Sequence, residues 1–513
     1  MPKEIIYQIL PRLWGNVEGE NRPGGSLERN GCGKFADIDS KTLDYLRTLG
    51  VTSVWFTGVV RHSINKPFVK GKAGSPYSIT DWFDVNPYLA KDPEGRMTEF
   101  ESLVRRTHKA GMKVITDFIP NHVARDYGKF SPKPFKGGRD AAGHPVLGAL
   151  DDSSVHWKPD NDFYYYPGQE LQLPCRGAWK EFPAKASGNC FSPAPGEYDW
   201  YDTIRLNYCD FHTPTWDRML EVVLFWAGKG VDGMRCDMVE MVPVEFFDWM
   251  IAKVREKHPG FLFIAEVYQK ENYRRYIDAG FDYLYDKSGM YDALLDIERH
   301  SVSASRLTRN WQELGDLQPH MLNFLENHDE PRAASDFFFG SSSRSFASLH
   351  ASLLLNTAPF MVYFGQEVGE RGMDAEGFSG VNGRTSIFDW WCPSGPAALW
   401  SLIHGKGSLS QQQNDTLKRY MELLSLAGQD IITKGLTYDL GYCGGFDTDK
   451  VFAFLRGYGK ELTLVVCNFS DADLETEIRI PAEAFSFFGR EQGELFQRVS
   501  VRAKDGAVLN LFF

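Results

Sequence analysis

Cysteine is scarce in this chain of 513 residues: there are eight, spread from Cys32 to Cys467, and none forms a CxxC pair. That spacing excludes a CxxC-type metal or redox centre and a disulfide-stapled scaffold. Eight reduced thiols are expected, with Cys175 and Cys190 as the only spacing that suggests a bridge. Long apolar runs are missing as well. The most apolar segment, Leu353 to Phe364, is interrupted by Asn356 and Pro359 and is too short to span a bilayer. The N-terminal MPKEIIYQILPRLWG has neither a long apolar stretch nor a small-residue cleavage site, so a soluble cytoplasmic protein is expected. Basic charge is in deficit, with 56 Lys and Arg against 68 Asp and Glu and a net charge of −12. This argues against nucleic acid or an anionic membrane as partner. No internal repeat or low-complexity tract is present. What the chain has is length for roughly three compact units and an abundance of aromatics, 37 Phe, 22 Tyr and 13 Trp. Such a supply suits a protein that stacks flat, polar ligands.

Short β-rich runs alternate with amphipathic helical patterns. Glu4 to Leu10 reads as a first strand and Val51 to Phe56 as a second, separated by Leu43, Leu46 and Leu49 at helical spacing and the stop Gly50. Phe100, Leu103, Val104 and Thr107 form one helix face before the strand Lys113 to Asp117. Trp216, Met219, Leu220, Val223 and Leu224 form another, behind Thr213 and Pro214 as N-cap and first helical residue, and Val231 to Asp237 follows. Phe247, Met250, Ile251 and Val254 precede Phe261 to Glu266. Phe281 to Tyr285, Met321 to Leu325 and Pro359 to Phe364 complete eight strand candidates. Eight βα units over this length fit a (β/α)8 TIM barrel, an α/β fold, better than an open sheet. Two regions break the alternation. Residues 123–212 are rich in Pro, Gly and aromatics (FSPKPFKGG, YYYPGQE, SPAPGEYDWY) without helical period, the mark of a functional excursion or small subdomain. After the helical Leu417, Tyr420, Met421 and Leu424, the runs Val451 to Leu455, Leu462 to Val466 and Glu477 to Ile480 read as an antiparallel β domain. The expected division is 1–122 and 213–432 for the barrel, 123–212 for the insertion and 433–513 for the terminal β domain.

Four polar clusters fall at the C-terminal ends of these strands, where barrel enzymes carry their sites. They are Asp117-Phe-Ile-Pro-Asn121-His122, Gly233-Met-Arg235-Cys-Asp237-Met-Val-Glu240, Ala265-Glu266-Val-Tyr268 and Glu326-Asn-His328-Asp329. Arg235 and Asp237 are two apart and share a side of the sheet, so the cation favours an ionised Asp. Glu266 follows Phe261-Leu-Phe-Ile, an apolar setting that favours its protonated form. A protonated Glu beside an ionised Asp is the division of labour of a retaining glycosidase: one acid donates to the leaving oxygen, the other attacks the sugar carbon. Asp329 offers a third carboxylate, and His122 and His328 offer donors to sugar hydroxyls. Taken singly, each residue has a plain structural explanation as a cap, an ion pair or a turn; the case lies in their joint order.

Those four clusters resemble the four signature regions of the α-amylase family of glycoside hydrolases, and the resemblance covers essentially the whole chain. It implies a barrel with an inserted domain B after the third strand and a C-terminal β-sandwich domain C. By position it implies Asp237 as nucleophile, Glu266 as acid/base and Asp329 as the carboxylate that grips and distorts the reacting sugar. Arg235 would orient the nucleophile, and His122 and His328 would bind the sugar. Tyr77, in Pro76-Tyr77-Ser-Ile-Thr-Asp81-Trp82, resembles the stacking platform for that sugar, a core tyrosine being the competing reading. Gly365-Gln366-Glu367 also matches and reads as structural. Two departures stand out. Glu240-Met241 replaces the Lys-His pair that lines the acceptor side in typical members, making Glu240 a candidate substrate contact or, equally, a solvated loop residue. Ile204-Arg205-Leu206-Asn207 puts Arg205 where the family often supplies a calcium-binding Asp, and a cation cannot ligate calcium. No cofactor and no metal ligand are therefore expected, calcium staying open as an alternative although its usual family site is disrupted at Arg205. The expected activity is hydrolysis of α-glucosidic bonds in maltooligosaccharides or related α-glucans, of α-amylase or α-glucosidase type. A transglycosylase or glucosyl isomerase on the same machinery is the alternative, and a non-catalytic sugar binder is a third class. Glu240 and the loop Gly380 to Trp391 are where acceptor choice is expected to be set.

Overall fold

The computed structural model describes residues 3–128, 143–144, 146–175 and 179–512. Eight parallel strands close into a barrel in sequential order: β1 (Ile5–Ile9), β2 (Ser53–Phe56), β3 (Lys113–Phe118), β4 (Gly233–Cys236), β5 (Leu262–Ala265), β6 (Tyr283–Tyr285), β7 (Met321–Phe324) and β8 (Phe360–Tyr363). The strands are short and almost wholly buried, which explains their continuous apolar sequences: a strand covered on both faces has no solvent side to alternate with. The helix Arg96–Lys109 buries Phe100, Leu103, Val104 and Thr107, the face expected from spacing. The helix Pro214–Gly228 starts as expected with Thr213 as N-cap and Pro214 in the first turn, but the Thr213 side chain makes no capping bond. Pro214 itself lacks the N–H that such a start would leave orphaned.

β1, β4, β5, β7 and β8 stop one residue short of their expected ends, and at β4 and β5 this has a consequence for the site. β4 ends at Cys236 and β5 at Ala265, yet the ladder hydrogen bonding runs one step further. Asp237 N donates to Phe118 O at 2.8 Å and Glu266 N donates to Cys236 O at 3.1 Å. Asp237 and Glu266 are thus the first residues past their strands, with backbones still fixed by the sheet.

Between β3 and the helix Pro214–Gly228, the described residues carry short antiparallel pairs and no helix. His122–Ala124 pairs with Thr203–Arg205, and Tyr165–Tyr166 with Ala184–Lys185. The first pairing, His122 opposite Arg205, draws the two ends of the excursion together beside the barrel mouth. The tract FSPKPFKGG lies outside the described residues. Past residue 435, β9 (Leu436–Asp439), β10 (Val451–Tyr458), β11 (Glu461–Asn468) and β14 (Gly506–Asn510) form a four-stranded antiparallel sheet, and β12 (Leu474–Ile480) pairs with β13 (Leu495–Val501). Leu455, Leu464, Val466, Ile478, Ile480 and Val499 build a second apolar core between them.

All eight cysteines are free, Cys175 and Cys190 included, and among the described residues no helix is long and apolar enough to cross a membrane. Gly365-Gln366-Glu367 is structural: buried Glu367 accepts from Tyr7 Oη at 2.5 Å and Tyr45 Oη at 3.0 Å, tying β8 to the start of the barrel. Glu326 has a similar part. Its Oε1 accepts from Arg332 Nη1 at 2.8 Å and its Oε2 from Ala333 N at 2.6 Å, and both charged side chains are almost inaccessible to solvent. Glu326→Ala would strand a buried guanidinium. It is expected to destabilise the barrel by about 3–5 kcal/mol in urea unfolding, more than Glu326→Gln; an unchanged midpoint would show that the pair is dispensable.

Candidate active site

The carboxyl ends of β4, β5 and β7 deliver the expected acids to one place, and the side chain that joins them is Arg235. Its guanidinium is fully buried inside the barrel, 5.4–5.6 Å from the ring centroids of Trp55, Tyr77 and Tyr285. Nε donates to Tyr285 Oη at 3.2 Å and Nη1 to Asp237 Oδ1 at 2.6 Å. Nη2 lies 2.7 Å from Glu266 Oε1 and 4.0 Å from Asp329 Oδ2. The contact to Glu266 is an ion pair out of hydrogen-bond alignment. Three carboxyl groups thus share one guanidinium. If all three ionised, two negative charges would stay uncompensated in a buried site, so at least one acid is driven to hold a proton.

Glu266 is raised toward that state. Burial first, and the neighbouring charges of Asp237 and Asp329 in addition, push it up to about 7 against the opposing pull of Arg235. Its Oε1 accepts from Tyr268 Oη at 2.7 Å and its Oε2 from Met238 N at 2.8 Å. Burial also raises Asp237, while Arg235 opposes the rise by charge and by hydrogen bond. Asp329 differs: burial would raise it, but His328 and then Arg235 outweigh burial and hold it down to about 2. Its side chain remains 41% exposed at the mouth, the most open of the three.

His328 is buried behind this acid, with Nε2 2.9 Å from Asp329 Oδ2 and 2.5 Å from Tyr77 Oη. Gln8 Nε2 lies 2.8 Å from His328 Nδ1, holding the ring from the side away from Asp329. Tyr77 stacks on the His328 ring at 19° and also reaches Asp117 Oδ1 at 3.4 Å, while Trp55 and Gly58 N satisfy that carboxylate. The Tyr77 ring is thus packed into the core against His328, and the residue also reaches the wall of the site. Burial lowers His122 to about 4, which leaves a neutral imidazole at neutral pH.

A cavity of about 280 Å³ opens over these groups, with Tyr77, His122, Asp237, Glu266 and Asp329 in its wall. Arg235 and His328 sit beneath the wall as its support. Glu240 is elsewhere. It lines a separate depression of about 360 Å³, and its carboxylate is taken up by Tyr268 N at 2.9 Å, Gln269 N at 3.3 Å and Asn272 Nδ2 at 2.8 Å. The turn after Asp237 folds back onto the segment after Glu266, so Glu240 is neither a wall residue of this cavity nor a freely solvated one. Lys70, Trp200 and Asp202 are wall residues that sequence reasoning missed, while Tyr268 and Phe388 fall in segments it had singled out. Lys70 Nζ stands 3.6 Å from the buried Asp202 carboxylate. Tyr268 sits two residues after Glu266, and Phe388 lies in the loop Gly380 to Trp391; those placements were the available signals.

Arg205 occupies the place considered for a calcium ligand. Its Nη1 donates to Gly188 O at 2.8 Å and its Nη2 to Met241 O at 3.2 Å, while Asn121 Nδ2 donates to the same Gly188 O at 2.9 Å. The oxygens that a cation would need already face N–H donors, and the guanidinium itself repels a metal; the residues present do not fit a calcium ion there.

Residues 8–465 match the family model described as alpha amylase, catalytic domain. A cyclomaltodextrin glucanotransferase of Geobacillus stearothermophilus is 26% identical over 394 residues, covering 71% of this chain and 49% of that protein. The chain spans about half the length of that relative. An oligo-1,6-glucosidase of Parageobacillus thermoglucosidasius is 23% identical over 565 residues, covering 91% of this chain and 90% of the other. Among solved structures, the cyclic α-maltosyl-(1→6)-maltose hydrolase of Arthrobacter globiformis superposes with a TM-score of 0.65 at 16% identity, over 99% of this chain and 98% of that one, which is a likeness of fold. With the barrel, the three strand-end acids on one arginine, and a family match over most of its length, the chain belongs to the alpha-amylase family.

Proposed function

We propose that this protein is a retaining enzyme that opens α-glucosidic bonds in maltooligosaccharides or related short α-glucans by double displacement. The observation that carries the reading is the sharing of Arg235 by three acids of unequal protonation. Glu266, raised to about 7, holds the proton that the leaving oxygen needs. Asp237, hydrogen-bonded to Arg235 through Oδ1, keeps Oδ2 for attack on the anomeric carbon. Bond cleavage passes through an oxocarbenium-like state and leaves a β-linked glycosyl ester on Asp237. Glu266, now a carboxylate, takes a proton from water as that water attacks the same carbon, and an α-configured product leaves. Asp329, open at the mouth and held ionised by His328, is suited to accept hydrogen bonds from the hydroxyls of the reacting ring. His122 and Tyr77 shape that subsite. The same glycosyl ester can pass to a sugar hydroxyl, and the aromatic residues Tyr268 and Phe388 on the cavity wall favour an acceptor sugar as a second outcome. The eight free thiols support a reducing, cytoplasmic setting. The segments 1–122, 123–212, 213–432 and 433–513 remain the proposed division of the chain.

With maltoheptaose followed by chromatography and proton NMR, the wild type is expected to release product first seen as the α anomer. Asp237→Asn should bring turnover to background with the fold intact. Glu266→Gln should lower kcat by about 10²–10⁴-fold, and less on an aryl glucoside whose leaving group needs no proton. Initial β product, or an active Asp237→Asn, would contradict the scheme. The general acid must be protonated, so kcat/KM should fall as pH rises through about 7, where Glu266 loses its proton. It should fall again at low pH as Asp237 gains one; a flat profile between pH 6 and 9 would remove Glu266 from the role, on the order of the shift expected for a buried carboxyl.

The Arg205 bridge supports an enzyme that works without calcium. EDTA is expected to leave both activity and thermal midpoint unchanged; a drop in either that calcium restores would overturn this.

A further inference from the structure

The turn after Asp237 and the segment after Glu266 are cross-linked by a carboxylate that no step of the proposed reaction uses. Glu240 sits in the short 3-10 turn Val239–Met241 and takes up two successive backbone amides, Tyr268 N and Gln269 N, together with the Asn272 side chain. What it gathers matters because of what lies on either side. Tyr268 gives its hydroxyl to Glu266 Oε1 at 2.7 Å. Met238, at the entrance of the Glu240 turn, gives its backbone N–H to Glu266 Oε2 at 2.8 Å. Met238 adopts a left-handed backbone at φ 45°, a conformation that a non-glycine residue holds only when its surroundings impose it. Both donors to the acid therefore hang on segments that Glu240 ties together.

We propose that Glu240 is a positioning residue for Glu266, acting through Tyr268 and the Met238 turn and not through contact with the sugar. The inference rests on the functional reading of Glu266 given above. From the turn after β4, Glu240 collects three donors of the segment after β5, two amides and the Asn272 side chain, and the groups on either side of this link grip opposite oxygens of the Glu266 carboxyl. A carboxylic acid held at both oxygens keeps its proton aimed at one point in the cavity, and a loosened one loses alignment with the leaving oxygen. The charged and titratable groups facing Glu266 are Arg235, Asp237, Asp329, Tyr268 and Tyr285. Those around Glu240 are the Tyr273 and Tyr276 phenols, whose deprotonation its charge opposes, and the Arg205, Arg275, Tyr164 and Tyr208 side chains that line the same depression.

Glu240→Ala and Tyr268→Phe both weaken donors to the ionised form of Glu266, and loss of such donors raises the carboxyl further. In Glu240→Ala, kcat is expected to fall about 10- to 100-fold with KM nearly unchanged. The alkaline limb of kcat/KM should move up by about one pH unit. Tyr268→Phe should move it the same way, and adding Glu240→Ala to Tyr268→Phe should do less than adding it to the wild type. Glu240→Gln, which keeps one acceptor, should give a smaller shift of the same sign and serves if the alanine variant does not fold. Infrared difference spectra against Glu266→Gln read the same carboxyl titration without turnover, so a wild type inactive on maltooligosaccharides would sink the functional reading and still leave this inference testable. An unshifted titration in the folded Glu240 variants would overturn it. So would a rise in KM alone, which would make Glu240 a substrate contact.

Discussion

One buried guanidinium organises this molecule's chemistry. Arg235 has no route to solvent and could not remain charged inside a barrel without partners; the acids around it could not stand so close together without a cation. Its Nη1 fixes Asp237, its Nη2 faces Glu266 and, further off, Asp329, and its Nε is satisfied by Tyr285. A buried ion pair is weak evidence for stability, since desolvation offsets the attraction. Its value lies in the unequal sharing. Asp329 has a second partner in His328 and is held low, whereas Glu266 carries the full effect of burial and of two neighbouring acids and is raised to about 7. Different protonation states follow from one shared charge, and acid and nucleophile roles follow from different protonation states.

The barrel makes that sharing possible. Parallel strands bring Arg235 opposite Asp117 on one side and Ile264 on the other, and the ladder continues to the backbones of Asp237 and Glu266. The reacting acids are then held by sheet hydrogen bonds and not by loop conformation, while the loops beyond them carry groups that adjust the site. Glu240 belongs to that outer layer, as do Tyr268, Met238 and the Arg205 bridge between the excursion and the turn after β4.

What was legible in the sequence follows the same division. The strands and their helices could be read because burial forces apolar periodicity, and the strand-end acids could be read because two-residue spacing fixes a side and apolar runs predict a raised pKa. Trp200 and Asp202 were not found, since residues 123–212 have no period and the packing of an irregular excursion depends on long-range contacts; Lys70 lies in the irregular stretch after β2, outside any periodic run. Glu240 was noticed for its charge, but its partners lie 28 to 32 residues away in sequence and only the fold brings them near. Arg205 was noticed for its charge, but that it donates to Gly188 O and Met241 O depends on contacts that only the fold creates. Thr213 marks the opposite limit, a residue of capping type at a capping position whose side chain makes no cap.

In the proposed reaction the acid held by Arg235 Nη1 attacks the sugar. Trapping with a slow fluorinated α-glucosyl fluoride, followed by peptide mass mapping, reads that step. A single glycosyl adduct is expected on the peptide from the end of β4, attached to Asp237 and absent in Asp237→Asn. An adduct on Glu266 or Asp329, or continued turnover with no covalent species and an inverted product, would contradict it.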